Sequence, residues 1–391
     1  MKKRILALIC VIALLLAIAA IGFSAYADDI DWSFDSDTKT LYITGSGAMD
    51  DYSEPYEAPW GVHIIETQSL VVESGVTSLG NYAFAGATSL QSVSLADSVT
   101  SIGEGTFSST PALLSLTLSS SVTSIGDLSF AKNGAEDKAG FALNVSAGSY
   151  ALHYAIKNGV DFDCESVSSG EQQVNIIGNT GMMVYYPYTA PVDGTYIFYS
   201  VSKDDPIGYI YDSEFNQLAR NDDHGSVSFD GMADCDFAVS ISLAKGETCY
   251  FATKIFSPIL SASFNAYIVC TNFSVSGNIR AIVSGNGTIS ETNLNGAMLN
   301  GVTTDGTYSL ESVSSDYEAV FSYGGATYTH KFNPDDGESV DIVLVVCDQN
   351  SDGIVNIRDY SLLLQNELPC IQYFDACLNF TYDNSICHQA N

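Results

Sequence analysis

The sequence predicts a multidomain, mainly β chain: a short repeat solenoid, two β-sandwich domains, and a small calcium-loop–helix module. Three observations predict it. Val-Thr-Ser-Leu/Ile-Gly recurs at Val76, Val99 and Val122, a fixed spacing of 23 residues. A period in the twenties with fixed apolar positions is the mark of stacked coils that cannot bury their apolar residues singly. Short aromatic and β-branched runs parted by Gly, Asp and Asn turns fill residues 172–346, as in sandwiches. Finally, Asp348 to Asp359 sets oxygen-bearing side chains around a glycine at calcium-loop spacing.

Residues 1–27 read as a signal peptide. Met1-Lys-Lys-Arg4 is a basic start, Ile5 to Ile21 is apolar, and Ala25-Tyr-Ala27 is an A-x-A cleavage signal before Asp28-Asp29. An uncleaved membrane anchor is the alternative for an apolar run of that length. The chain is therefore expected to be exported and secreted, extracellular or at the cell surface.

Residues 28–165 hold the repeats. Phe84, Phe107 and Phe130 share the register, as do Leu70, Val93 and Leu116, and Val72, Leu95 and Leu118. Each unit reads as a short strand, a turn and a second segment ending at the Phe, with the three rings in a buried ladder. An insertion, Asn133 to Gly140, breaks the period, so Leu143 and Val145 fall late. These units resemble the BspA-like leucine-rich repeats of bacterial surface proteins, which read roughly V-T-S-I-G-x-x-A-F. Trp32-Ser-Phe, Leu41 to Met49 and Ala58-Pro-Trp60 resemble that family's N-terminal cap. Gly148 to Ala155 with Asn158-Gly-Val160 resembles its closing helix and last strand. The resemblance implies a leucine-rich repeat solenoid that binds partners.

After a polar linker, Ser166 to Glu171, residues 172–270 carry strand-like runs at Met183–Tyr186, Thr195–Tyr199, Gly208–Tyr211, Phe237–Ile241 and Cys249–Ala252. Their order is similar to the jelly-roll modules appended to secreted peptidases. Residues 273–346, with Thr304 to Leu310, Ala319 to Tyr323 and Val340 to Val346, resemble small prealbumin-like sandwiches related to carboxypeptidase regulatory domains. The resemblance implies spacers or adhesion modules. Asn221-Asp-Asp-His224 is the one cluster here with chemical potential: a solvated turn, a calcium loop, or an Asp-His base pair.

In residues 347–391, Asp348, Asn350, Asp352, Asn356 and Asp359 occupy loop positions 1, 3, 5, 9 and 12, Gly353 makes the sharp turn, and the Ile354 carbonyl supplies position 7. A hard cation with about six to eight oxygen ligands, Ca²⁺, fits that set. Ile357, Leu362, Leu363 and Leu364 mark the following helix. With Asp rather than Glu at the last position, the segment resembles the first half of a type I dockerin, a module that docks onto cohesin domains. The resemblance implies a cohesin-bearing scaffold as partner. The second half departs from the pattern: no D-x-N-x-D-G recurs, and the tail carries Cys370, Cys377 and Cys387. Half a dockerin has half the core, which puts cohesin binding in doubt.

The balance of 14 Lys and Arg against 46 Asp and Glu, net −32, excludes nucleic acid, which needs clustered cations. Of nine cysteines, Cys10 lies in the leader; none forms a C-x-x-C pair, and five histidines are too few for zinc spacing. Export permits disulfides, and two readings stand side by side for Cys235, Cys249 and Cys270: one bridged pair, or free buried thiols. No nucleophile elbow, paired-carboxylate cleft or phosphate loop appears. The expectation is a non-catalytic, monomeric binding protein that recognises a host or bacterial surface protein or glycan. Two alternatives remain: a carbohydrate-binding cellulosome component stacking sugars on Tyr185, Tyr186, Tyr188, Tyr209 and Tyr211, and an enzyme with its site in 172–270.

Overall fold

A computed structural model describes residues 29–130, 140–225, 227–257, 260–285, 288–323 and 326–345. It divides into two compact units. The first comprises the described residues through Glu165 together with Asn175–Tyr186 and residues 260–262; the second holds the remainder.

In the first unit each repeat contributes two parallel strands. Thr40–Ala48, Ser69–Val72 and Ser92–Leu95 pair in register, Leu41 with Leu70 and Leu70 with Val93. Ser115–Thr117, Ala142–Asn144 and Phe162–Asp163 continue the succession as a second ladder. The other side is built from Val76–Leu79, Ser101–Ile102 and Ser124–Ile125, the Thr-Ser-Leu/Ile part of the motif. Period two along these strands sends Leu70, Val72, Leu116, Leu118 and Leu143 inward, where each is nearly fully buried. Coil-to-coil bonds tie the corners, Gly103 N to Leu79 O and Gly126 N to Ile102 O, both 2.8 Å.

The motif's glycine is there for space. A Cβ on Gly80 would lie 1.8 Å from the Asp50 carbonyl oxygen, and one on Gly103 or Gly126 would lie 2.5 Å from the backbone of the coil before it. No larger residue lets consecutive coils close to hydrogen-bonding distance. Three positions after Gly103 and Gly126 stand the buried hydroxyl residues Thr106 and Ser129. Each hydroxyl is satisfied by donating back to its glycine's carbonyl, at 2.8 and 2.7 Å, so its burial carries little penalty.

Phe84, Phe107 and Phe130 form the expected ladder, and it is longer than expected. Trp60 stacks on Phe84 at 5.6 Å, Phe84 on Phe107 at 5.6 Å, Phe107 on Phe130 at 5.9 Å and Phe130 on Phe141 at 5.6 Å. The indole N–H, buried with its ring, donates to the Ala83 carbonyl. The far end is closed by the helix Tyr150–Asn158. Ser149 caps it by accepting from Leu152 N, Gly159 ends it at φ 65°, and Leu152, Tyr154 and Ala155 turn into the core. The insertion Asn133 to Gly140, except for its last residue, lies outside the described residues; beyond it Ala142 pairs with Ser115.

The second unit is antiparallel apart from one parallel pair at its last strand. One four-stranded sheet orders Gly170–Ile176, Ala262–Thr271, Gly194–Val201 and Ala238–Leu243; another orders Val184–Thr189, Thr248–Ile255, Pro206–Tyr211 and Gln217–Asn221. Phe198 meets Phe251 at 5.4 Å and Phe237 at 5.0 Å between them. Buried Asp236 accepts from Ser200 Oγ and Ala233 N, both at 2.7 Å, so both of its carboxyl oxygens have partners. Two further four-stranded sheets, over 273–345, enclose Tyr308, Phe321 and Phe332. No linker separates the two sheet pairs. Only Asn272, at φ 59°, stands between strands Ala262–Thr271 and Phe273–Gly285, and Asp335 takes hydrogen bonds from Ser169 N and Oγ.

Candidate binding surface

Because the inward positions of the repeat strands are apolar, the alternate positions form an outward face. Tyr42, Val71 and Ser94 share one row by register, and Thr117, Asn144 and Asp163 share another. Ser92, Ser94, Ser115, Thr117 and Asp163 are exposed. Neighbouring strands lie about 4.8 Å apart, so short polar side chains repeat at that interval. Some already bond one another, Ser92 Oγ to Ser69 Oγ at 2.9 Å and Asn144 Nδ2 to Thr117 Oγ1 at 3.3 Å. At the last coils the face dips into an open cleft of about 240 Å³ lined by Thr117, Asn144, Ser146, Asp163 and Glu165. Hydroxyl, amide and carboxylate groups on a rigid sheet can hydrogen-bond a partner. The Cys164 thiol beside them is pushed up to about 11 by burial and the flanking acids, so it is not a nucleophile at neutral pH.

Other residues singled out in the sequence fall elsewhere. Asp348, Asn350, Asp352, Ile354, Asn356 and Asp359 lie outside the described residues, as does the leader. In Asn221 to His224 the side chains are held by different neighbours. Asn221 donates to the Ala238 carbonyl, Asp222 pairs with Arg220 at 3.1 Å, and His224 Nδ1 lies 2.6 Å from the Val227 carbonyl. The ring nitrogen of His224 facing that carbonyl is a donor. Of the two cysteine readings the free thiols hold among the described residues: Cys164, Cys235, Cys249 and Cys270 are all free. Burial pushes Cys249 up to about 12 and Cys270 up to about 11, which makes them core residues rather than reactive ones.

The alternative of sugar stacking on five tyrosines is corrected for three of them. Tyr186, Tyr188 and Tyr209 are buried, and only Tyr185 and Tyr211 of the five keep partial exposure. Tyr188 packs on Tyr196 and Phe251 in the core, its hydroxyl bonded to Ser169. Among the described residues no helix is long and apolar enough to cross a membrane.

Comparison with known proteins matches residues 63–157 to the BspA type leucine rich repeat region, in six copies, against the three clear repeats of the sequence pattern. No curated protein matches the chain. Among solved structures the chain is similar to a leucine-rich repeat protein from Eubacterium ventriosum ATCC 27560, at 25% identity and TM-score 0.26, covering 36% of this chain and 39% of that one. It is also similar to the T. pallidum leucine rich repeat protein, at 19% identity and TM-score 0.20, covering 35% of this chain and 81% of that one. Ladder, paired parallel strands and repeat match thus coincide over residues 63–157, the stretch that is similar to a leucine-rich repeat region of the BspA type.

Proposed function

We propose that this chain is an exported, non-catalytic adhesion protein whose repeat array carries recognition of a surface protein or glycan. The observation that carries the reading is the outward strand face: a rigid parallel sheet presenting exposed Ser92, Ser94, Ser115 and Thr117, with no cation among the residues that line its acidic end. Rigid elements hold such a row without loss of conformational entropy on binding. Later in the chain, the two pairs of sheets serve as a jelly-roll-like and a prealbumin-like sandwich, joined closely enough through Asn272 and the Ser169–Asp335 bonds to act as a stiff stalk. The loop Asp348 to Asp359 binds one Ca²⁺ and orders the helix after it, as its spacing supports. A cohesin-bearing scaffold is its partner if the half module retains affinity.

Binding of the full chain to intact bacterial and epithelial cells, read by flow cytometry, tests this. Recognition by the array survives chelation of calcium and is lost in a Ser94→Arg/Thr117→Arg double variant. Binding that vanishes with chelation and with Asp352→Ala, but not with the face variant, would move recognition to the calcium loop.

A further inference from the structure

The sheet containing Pro206–Tyr211, Gln217–Asn221 and Thr248–Ile255 has an outer face that the sequence pattern does not resolve. Directly opposed residues of antiparallel strands share a face. Tyr211 opposes Tyr250, Tyr209 opposes Arg220, and Ile207 opposes Lys254. Phe251, on the alternate position, points into the core. Tyr250, Tyr211, Tyr209, Arg220 and Lys254 therefore share the face opposite Phe251. Tyr209 and Tyr211 lie nearly parallel, 14° apart with centroids at 6.0 Å, and Phe215 from the adjoining turn sits 4.5 Å from Tyr250. Tyr211, Phe215 and Tyr250 remain partly exposed, while Tyr209 is covered.

Charge sets this face apart. The chain has 14 Lys and Arg in 391 residues, yet two of them converge on one ring: Lys254 Nζ is 5.5 Å and Arg220 Cζ 5.9 Å from the centroid of Tyr209. Arg220 shares its charge with Asp222. Lys254 has no carboxylate partner among the described residues; the tyrosine ring is its neighbour. An aromatic shelf with an uncompensated ammonium at its edge suits a ligand with flat apolar C–H faces and a fixed negative charge.

We propose that this face binds an acidic polysaccharide of the hexuronate class. The pyranose C–H faces pack on Tyr211 and Tyr250, and a uronate carboxylate meets Lys254. An acidic peptide would satisfy the ammonium but lacks rings to lie on the shelf. The net charge of −32 does not forbid an anion here, since charges beyond a Debye length of about 8 Å are largely screened at physiological salt.

The test is calorimetric titration of the full chain at physiological salt with a chelator present, so that the calcium loop takes no part. Hexagalacturonate and a hyaluronan octasaccharide are the probes; fully methyl-esterified hexagalacturonate and a poly-glutamate peptide are the controls. The expected result is binding of at least one uronate probe, weakened about tenfold or more by Lys254→Gln and by Tyr250→Ala and by esterification, with poly-glutamate weaker still. Circular dichroism checks the fold, and Lys254→Gln, a change of charge at the rim, decides the matter if Tyr250→Ala unfolds. Absence of heat with both uronate probes at millimolar concentration overturns the proposal. So does equal binding of the methyl ester or of poly-glutamate, or affinity indifferent to Lys254→Gln.

Discussion

Phe107→Ala is the sharpest perturbation of the repeat array. The ring is fully buried and sits in the middle of the ladder, 5.6 Å from Phe84 and 5.9 Å from Phe130. Truncation removes its transfer free energy and leaves a cavity between two rings fixed by their own coils, so little collapse is available. Such sites cost about 3–5 kcal/mol, against a whole-domain stability of about 5–15 kcal/mol. The melting temperature of the first unit should fall by on the order of 10 °C, at roughly 2–4 °C per kcal/mol for a domain of this size. The chain's two tryptophans, Trp32 and Trp60, both lie in the first unit, so their fluorescence reports that unit alone. Urea titration followed by fluorescence should shift strongly, while the circular dichroism change from the second unit stays in place. Leu114→Ala, at a side chain 60% exposed, is the control and should change stability by about 0.5 kcal/mol or less. A loss below about 1 kcal/mol for Phe107→Ala would refute the reasoning, because the ladder would then not be a continuous packed column.

Gly208→Ala should destabilise the second unit by about 1–3 kcal/mol, since its Cβ would lie 2.1 Å from the Phe237 ring; circular dichroism should show it with tryptophan fluorescence unmoved. Stability of the first unit should fall on acidification through His153. That ring is 7% exposed, Nδ1 accepts from Met183 N at 3.2 Å, and burial, with Lys157 adding to it, lowers its pKa from 6.5 to about 4. The unfolded chain takes up the proton first, so the contribution is whole above about pH 6.5 and is lost toward pH 4, on the order of 3 kcal/mol in all. Fluorescence-monitored melts should slope across that window, and His153→Gln should flatten the slope between about pH 6.5 and 5. Calorimetric titration of the full chain with Ca²⁺ should give one site, at about 10⁻⁴–10⁻³ M as in weak extracellular modules, and Asp352→Ala should remove it.

The array is legible in the sequence because its period is rigid. Val76, Val99 and Val122 recur at one spacing, and every residue in register repeats its neighbour's environment, so the periodicity alone places Phe84, Phe107 and Phe130 in one column. The ends are not legible in that way. Trp60 lies 24 rather than 23 residues before Phe84, and Phe141 follows an insertion, so neither keeps the register that identifies the ladder. A period extended with one residue of tolerance, and any large ring allowed, brings in Trp60. The tyrosines show the opposite limit. Alternation along Val184 to Tyr188 shows that Tyr186 and Tyr188 share a face, but which face is covered depends on a partner sheet contributed by distant strands. Likewise, Arg220 reaches Tyr209 across a hairpin, but Lys254 joins them only through pairing with a strand that is distant in sequence, which no local pattern encodes.

The central claim, that the outward strand face of the repeats does the recognising, is tested most directly by site-specific photo-crosslinking on intact cells. A benzophenone side chain is placed singly at Ser94, at Thr117 and, as control, at Leu128, which is 52% exposed on the turn side of the coil. Adducts to one cell-surface component are expected from Ser94 and Thr117, and none from Leu128. Adducts from Leu128 alone, or equal yields from all three positions, would contradict that claim.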